Sequence, residues 1–217
     1  MITEKIPTDV LKYELRKFQI KVAEESRSSF LTFVKKVWPD FIAGNHHRIF
    51  AKKLEDVSRG KIKRLIVNMP PRHTKSEFAS NLFPAWMMGR NPKLKIIQTT
   101  HTAELSYNFG RKDRNLFDQQ EFKDVFPEVN LSQDSKAAGR FTTNKGGEYF
   151  AAGVGGAITG RGADLLIIDD PHSEQDALSQ TAMDNAYEWY TSGPRQRLQP
   201  GGKIILVMTR WSNKDLT

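Results

Sequence analysis

An α/β fold, a mostly parallel central sheet flanked by helices and preceded by an N-terminal helical segment, is predicted by three observations on this 217-residue chain. Short apolar runs alternate with longer stretches of helical spacing from about residue 61 onward. Two of those runs, Leu65–Asn68 and Leu165–Asp169, are continuously apolar before their polar ends, and the second reads as a buried parallel strand. The first sixty residues carry helix-period patterns only.

Each element has its own signal. Val10, Leu11, Leu15, Phe18 and Val22 fall at mainly helical spacing between Asp9 and Glu25, and predict a first packing helix. Phe30, Leu31, Phe33, Val34 and Val37 predict a second, stopped at Trp38-Pro39, because the residue before proline disfavours helical backbone. A third runs from Asn45 to Ser58 and closes at Gly60. Strands follow at Leu65–Asn68, Leu94–Thr99, Glu148–Ala152, Leu165–Asp169 and Ile204–Thr209, with helices over Lys75–Met88, Ala103–Phe117 and Leu178–Tyr190. The glycines at 153, 155, 156, 160 and 162 read as a flexible loop; they precede a strand and so form no dinucleotide fingerprint. One compact domain is expected, with residues 1–60 packed on a core of residues 61–217.

Composition narrows the classes. Thirty-three Lys and Arg against twenty-five Asp and Glu give a net charge of +8, which suits a polyanionic partner. The absence of cysteine excludes disulfides and thiolate metal sites. No apolar run reaches membrane-spanning length, and Glu4, Lys5, Asp9 and Lys12 interrupt the place of a signal peptide's apolar centre. A soluble intracellular protein without a membrane partner is expected.

The chemistry concentrates where the first strand runs into Met69-Pro70-Pro71-Arg72-His73-Thr74-Lys75-Ser76. A phosphate-binding loop needs backbone N–H groups around a phosphate, a Lys on the β- and γ-phosphates and a hydroxyl on Mg²⁺. Lys75 and Ser76 stand in those last two places, but Met69 and Thr74 occupy the two glycine positions of G-x-x-x-x-G-K-[ST]. A second element supports the reading: Leu165-Leu166-Ile167-Ile168-Asp169-Asp170 has the form of a Walker B strand. Asp169 would hold Mg²⁺ and Asp170 orient the attacking water, from a strand expected beside the one that carries the loop. Adjacent His46 and His47 point to different sides of a helix, which argues against a zinc pair.

In order along the chain, Met69 to Glu77, Gly160 to Pro171, and Thr209-Arg210-Trp211 followed by Asp215-Leu216 resemble the ATPase domain of tailed-bacteriophage terminase large subunits, the DNA-packaging motors. The resemblance extends from Trp38 onward and implies a P-loop NTPase core of the RecA-like (ASCE) type at residues 61–217. It implies ATP and Mg²⁺ as cofactors and translocation of double-stranded DNA into a procapsid as the function. Further implied are a homo-oligomeric ring on a portal protein, a small terminase subunit as partner, and the host cell cytoplasm during virion assembly as the place of work. By the same resemblance Arg72, with His73 and Thr74 in the loop, reaches the γ-phosphate, Thr209 senses the nucleotide, and Trp38, His46 and His47 are candidates for the base. Arg111 acts on a neighbouring subunit's site, with Arg114 and Arg161 as alternatives. Two departures stand out. Asp170 replaces the family's frequent Glu, with Glu174 as a possible substitute, and the nuclease domain of complete large subunits is not expected here. Two other readings stay open: a helicase-type or other P-loop ATPase, and a nucleic-acid-binding assembly module whose degenerate phosphate loop does not turn over.

Overall fold

Along the described residues, 8–158 and 160–217 of a computed structural model, three helices come first: α1 (Thr8–Ser28), α2 (Phe30–Val37) and α3 (Asn45–Ser58). Residues 1–7 of the predicted helical segment, with Glu4 and Lys5, lie outside the described residues. Ser29 starts α2 by accepting the Thr32 N–H, and the helix stops at Trp38, before Pro39, as predicted. The expected packing of the first helix is restricted to its C-terminal part. Ala23 and Ser26 are buried there, whereas Val10, Leu11, Leu15 and Phe18 are exposed.

Next come β1 (Arg64–Asn68), a π-helical segment (Glu77–Leu82) continuing into α4 (Phe83–Arg90), β2 (Lys95–Thr100), α5 (Ala103–Leu116) and α6 (Gln120–Val125). Strands β3 (Leu131–Ala137), β4 (Arg140–Thr143), β5 (Glu148–Gly153) and β6 (Ala163–Asp169) are followed by α7 (Gln180–Ser192) and β7 (Leu198–Met208). The five predicted strands and six predicted helices are all present with small shifts at their ends. The last strand begins six residues earlier than predicted and ends at Met208, so that Thr209 lies just beyond it. Helix α6 and strands β3 and β4 were not predicted.

The seven strands form one sheet in the order β1-β7-β6-β2-β5-β4-β3. Pairing is parallel from β1 to β5 and antiparallel from β5 to β3, which makes the mostly parallel α/β sheet that the sequence predicts. One point of the sequence reading is corrected: β6 is not the immediate neighbour of β1, because β7 lies between them and pairs with both. The last strand in the chain thus enters the middle of the site.

The larger core lies on one face, where Phe30, Phe33, Phe50 and Leu54 of the N-terminal helices meet Phe78, Phe83 and Trp86 over Leu165, Ile167, Ile205 and Val207. The N-terminal helices therefore share a core with the sheet. The opposite face buries Ile97, Leu166, Ile168, Ile204 and Leu206, with Tyr190 of α7 packed against them. Strand β1 remains at the sheet edge, with Ile66 exposed.

Candidate functional site

Parallel strands deliver their C-terminal ends to the same edge of the sheet, so the residues after β1, β7 and β6 meet there. The loop after β1 turns through Arg72 and Thr74, both left-handed at φ 62°. For a β-branched residue that backbone is an outlier. Thr74 occupies the second glycine position of the phosphate-loop pattern and adopts the conformation a glycine would take there without strain.

A brace holds it. The Gly44 N–H donates to His47 Nδ1 at 2.9 Å, which leaves the proton on Nε2, and His47 Nε2–H then donates to Thr74 Oγ1 at 2.6 Å. Thr74 Oγ1 in turn donates to the His73 carbonyl at 2.6 Å. Burial first, then the neighbouring His46 and His73, hold the His47 pKa below 6.5, so the imidazole is kept neutral. His47 sits 7 % exposed between Phe41 and Phe78. Here it supports the loop and offers no free ring face to a base. Trp38 packs against Phe41 and the main core. Of the three base candidates only His46 borders a recess beside the loop. That groove, about 690 Å³, runs between α3 and β1 past Ile49, Lys53, Ile62, Ile66 and Met69.

After the turn, Lys75 and Ser76 enter a helical turn that runs into the π-helical segment. Lys75 is 6 % exposed, and its Nζ lies 2.8 Å from Asp170 Oδ2. The other oxygen of Asp170 accepts the Thr209 N–H at 2.8 Å, while Thr209 Oγ1 donates to the Met69 carbonyl at 3.3 Å. Asp170 itself is left-handed, at φ 41°. Each of its oxygens has a protein partner, so Asp170 clamps the lysine. Thr209 joins the carboxylate to the start of the loop. Trp211, two residues on, is exposed, and Arg210 pairs with Asp215 at 2.9 Å.

Asp169 is 1 % exposed; Ser76 Oγ donates to its Oδ1 at 3.0 Å, and Oδ2 has no protein hydrogen-bond partner. Burial raises its pKa to about 7; Ser80 opposes the shift, the charge on Asp170 adds to it, and Ser76 and Lys75 oppose it. A buried carboxylate with one orphaned oxygen beside a serine hydroxyl fits Mg²⁺, which takes one or two protein oxygens and completes its shell with water and phosphate. Among the described residues no group of three or more His, Cys, Asp or Glu is arranged to hold a metal by itself.

Other candidates stand apart. Arg72 and His73 are exposed on the loop, and His73 Nδ1 lies 2.9 Å from the Pro71 carbonyl. Glu174 is exposed in a turn where Asp176 accepts the Ser173 N–H. Arg111 is exposed on α5, away from the buried face made by Ser106, Phe109, Gly110 and Asp113. Arg161 pairs with Glu148 and lies over the Phe150 ring at 3.8 Å, and Arg114 bonds Asn115. Sequence reasoning missed the brace by His47, whose signal is distributed over residues 44, 47 and 74.

Two outcomes follow from this geometry. Asp170→Asn removes the charge that holds Lys75. On the ATPase expectation drawn from the sequence, it should bind a non-hydrolysable ATP analogue at least as tightly as the wild type by calorimetry, yet lose about 10²–10⁴-fold in phosphate release. Parallel loss of affinity would show that Asp170 does not restrain the lysine. The second concerns pH. Because the folded pKa of His47 is depressed below 6.5, its contribution to stability is complete above that value and is lost as pH falls through it. The melting temperature should therefore drop more in the wild type than in His47→Gln between about pH 7.5 and about pH 5.5. Equal drops would remove the brace from the account.

No protein-family model matches this chain, and no curated protein matches it. Among solved structures it is similar to the large terminase of bacteriophage HK97, with a TM-score of 0.47 and 12 % sequence identity over 78 % of this chain and 33 % of that one. The chain thus spans about a third of the length of that terminase, and the likeness concerns the fold alone.

Proposed function

We propose that this chain is a Mg²⁺-dependent ATPase, the motor domain of a terminase large subunit that drives double-stranded DNA into a procapsid. The observation that carries the proposal is the convergence of Lys75, Ser76, Asp169 and Asp170 at the C-terminal edge of the parallel strands. A buried cation, a hydroxyl, a buried carboxylate with a free oxygen and a second carboxylate are the groups that phosphoryl transfer with a metal requires. The β- and γ-phosphates would displace Asp170 from Lys75, which would free a carboxylate oxygen to orient water. Mg²⁺ would sit between Ser76 and Asp169, and Arg72 would lie over the γ-phosphate. The largely apolar groove between α3 and β1, bordered by His46, would seat the base. The net charge of +8 and the ordered motif set noted in the sequence support a DNA motor.

The first test is phosphate release with and without Mg²⁺ and duplex DNA at high protein concentration. Lys75→Ala should abolish hydrolysis and weaken nucleotide binding, because the phosphates lose their main point cation. ATP should bind more tightly than inorganic triphosphate, and duplex binding should weaken steeply with salt without preference for sequence. Near-normal turnover in Lys75→Ala would end the assignment, and tight binding without any turnover would favour the non-hydrolysing module.

The proposed assembly is a ring in which Arg111 completes a neighbour's site, an effect worth about 10³–10⁵-fold in well-studied nucleotide hydrolases. Arg111→Ala subunits should be inactive together and partly rescued by Lys75→Ala subunits, which bring an intact Arg111. A rate strictly proportional to concentration, without complementation, would place a complete site within one chain.

A further inference from the structure

Buried polar side chains nearly always find partners, so clusters of unpaired ones call for a reason. Among the described residues most such atoms lie in one layer: Ser80 Oγ, Asn81 Oδ1, both ends of the Gln98 amide, both Asp113 oxygens, the Tyr149 hydroxyl and Asp169 Oδ2. Ser80 and Asn81 come from the π-helical segment, Asp113 from the buried face of α5, and the other three from β2, β5 and β6. The layer has two ends. At one, Asp113 and Tyr149 act on each other as hydrogen-bonding neighbours, with the Ala85 backbone also acting on the carboxyl though no contact is well formed, and burial raises the pKa of each well above its ordinary value. At the other lies Asp169, with the oxygen that a metal would use.

Gln98 connects to that second end. It is 0 % exposed, pairs with Ile167 across the β2–β6 register, and stands two residues before Thr100, which pairs with Asp169. Alternate residues of a strand share a face, so Gln98 and Asp169 are diagonal neighbours on the face covered by the π-helical segment. Ser80 reaches the same carboxyl from above and acts to lower its pKa, although neither Ser80 Oγ nor Asp169 Oδ2 completes a well-formed hydrogen bond. An apolar side chain of similar size at position 98 would avoid burying an unpaired amide. The amide and the hydroxyl are donors on the inner side of the carboxylate, where outer partners stand for carboxylates that ligate metals.

We propose that Gln98 and Ser80 are positioning residues for the metal-facing carboxylate of Asp169, unpaired as they stand and donating to it from the side opposite the nucleotide once the metal is bound. The inference rests on the reading of this site as one for Mg²⁺ and nucleotide. Its test is Mn²⁺ binding to the complex with a non-hydrolysable ATP analogue, followed by electron paramagnetic resonance, with melting temperatures in parallel. Gln98→Met and Ser80→Ala should melt at or above the wild-type temperature, and they should bind the analogue normally in the presence of chelator. Their Mn²⁺ affinity should fall about 10–100-fold. Ser80→Thr, which keeps the hydroxyl, should behave as the wild type. Unchanged Mn²⁺ affinity in folded variants would overturn the inference, as would losses of metal affinity and melting temperature that track each other in both. If Gln98→Met does not fold, Ser80→Ala against Ser80→Thr decides by the same criteria. A wild-type chain that binds no metal–nucleotide complex would instead remove the underlying site reading.

Discussion

The contact between Lys75 and Asp170 governs the arrangement at the strand ends. A lysine that is 6 % exposed needs a counter-charge, and the carboxylate at 2.8 Å supplies it. Removing Asp170 would leave the buried Lys75 charge without its partner, so the pair holds the loop after β1 to the end of β6 across the intervening β7. Thr209 closes the gap by bonding both Asp170 and Met69. A phosphate group would compete for the same ammonium with more charge and more acceptor oxygens. The resting contact therefore keeps the lysine in place without satisfying it as fully as the proposed ligand would.

The site concentrates strain. Arg72, Thr74 and Asp170 are the non-glycine residues with left-handed backbone among those described, and all three belong to this edge of the sheet. Such conformations cost about 1–3 kcal/mol each and persist only where the surroundings enforce them. The His47 brace does so for Thr74, and the paired oxygens of Asp170 do so for Asp170. Thr74 and Asp170 thus gain hydrogen-bonding side chains where glycine would have offered only conformational ease.

What could be read from the sequence was local. The apolar runs identified β1, β2, β5, β6 and β7; for β2, β6 and β7 burial on both faces explains consecutive apolar residues, whereas β1 keeps such a run at the sheet edge with Ile66 exposed. Lys75, Ser76, Asp169 and Asp170 were legible because each lies close to a strand end: Asp169 closes β6 and Asp170 follows it, while Lys75 and Ser76 stand just beyond the loop that follows β1. The strand order was not, since nothing in Ile204–Met208 states that it inserts between β1 and β6. Strands β3 and β4 escaped because Leu131–Ala137 is mostly polar and Arg140–Thr143 is only four residues long. The π-helical segment keeps an apolar pattern close to that of an α-helix, so its extra residue per turn was invisible. His47, read as a contact for the base, turned out to be a brace, because its partner lies 27 residues away in the loop.

The most direct measurement is a crystal structure of the chain with Mg²⁺ and a non-hydrolysable ATP analogue. The account predicts phosphate oxygens on Lys75 Nζ, the metal between Ser76 and Asp169, and Asp170 Oδ2 released from the lysine and turned toward the γ-phosphate. An analogue bound elsewhere, or one bound here with the Lys75–Asp170 contact still in place, would contradict it.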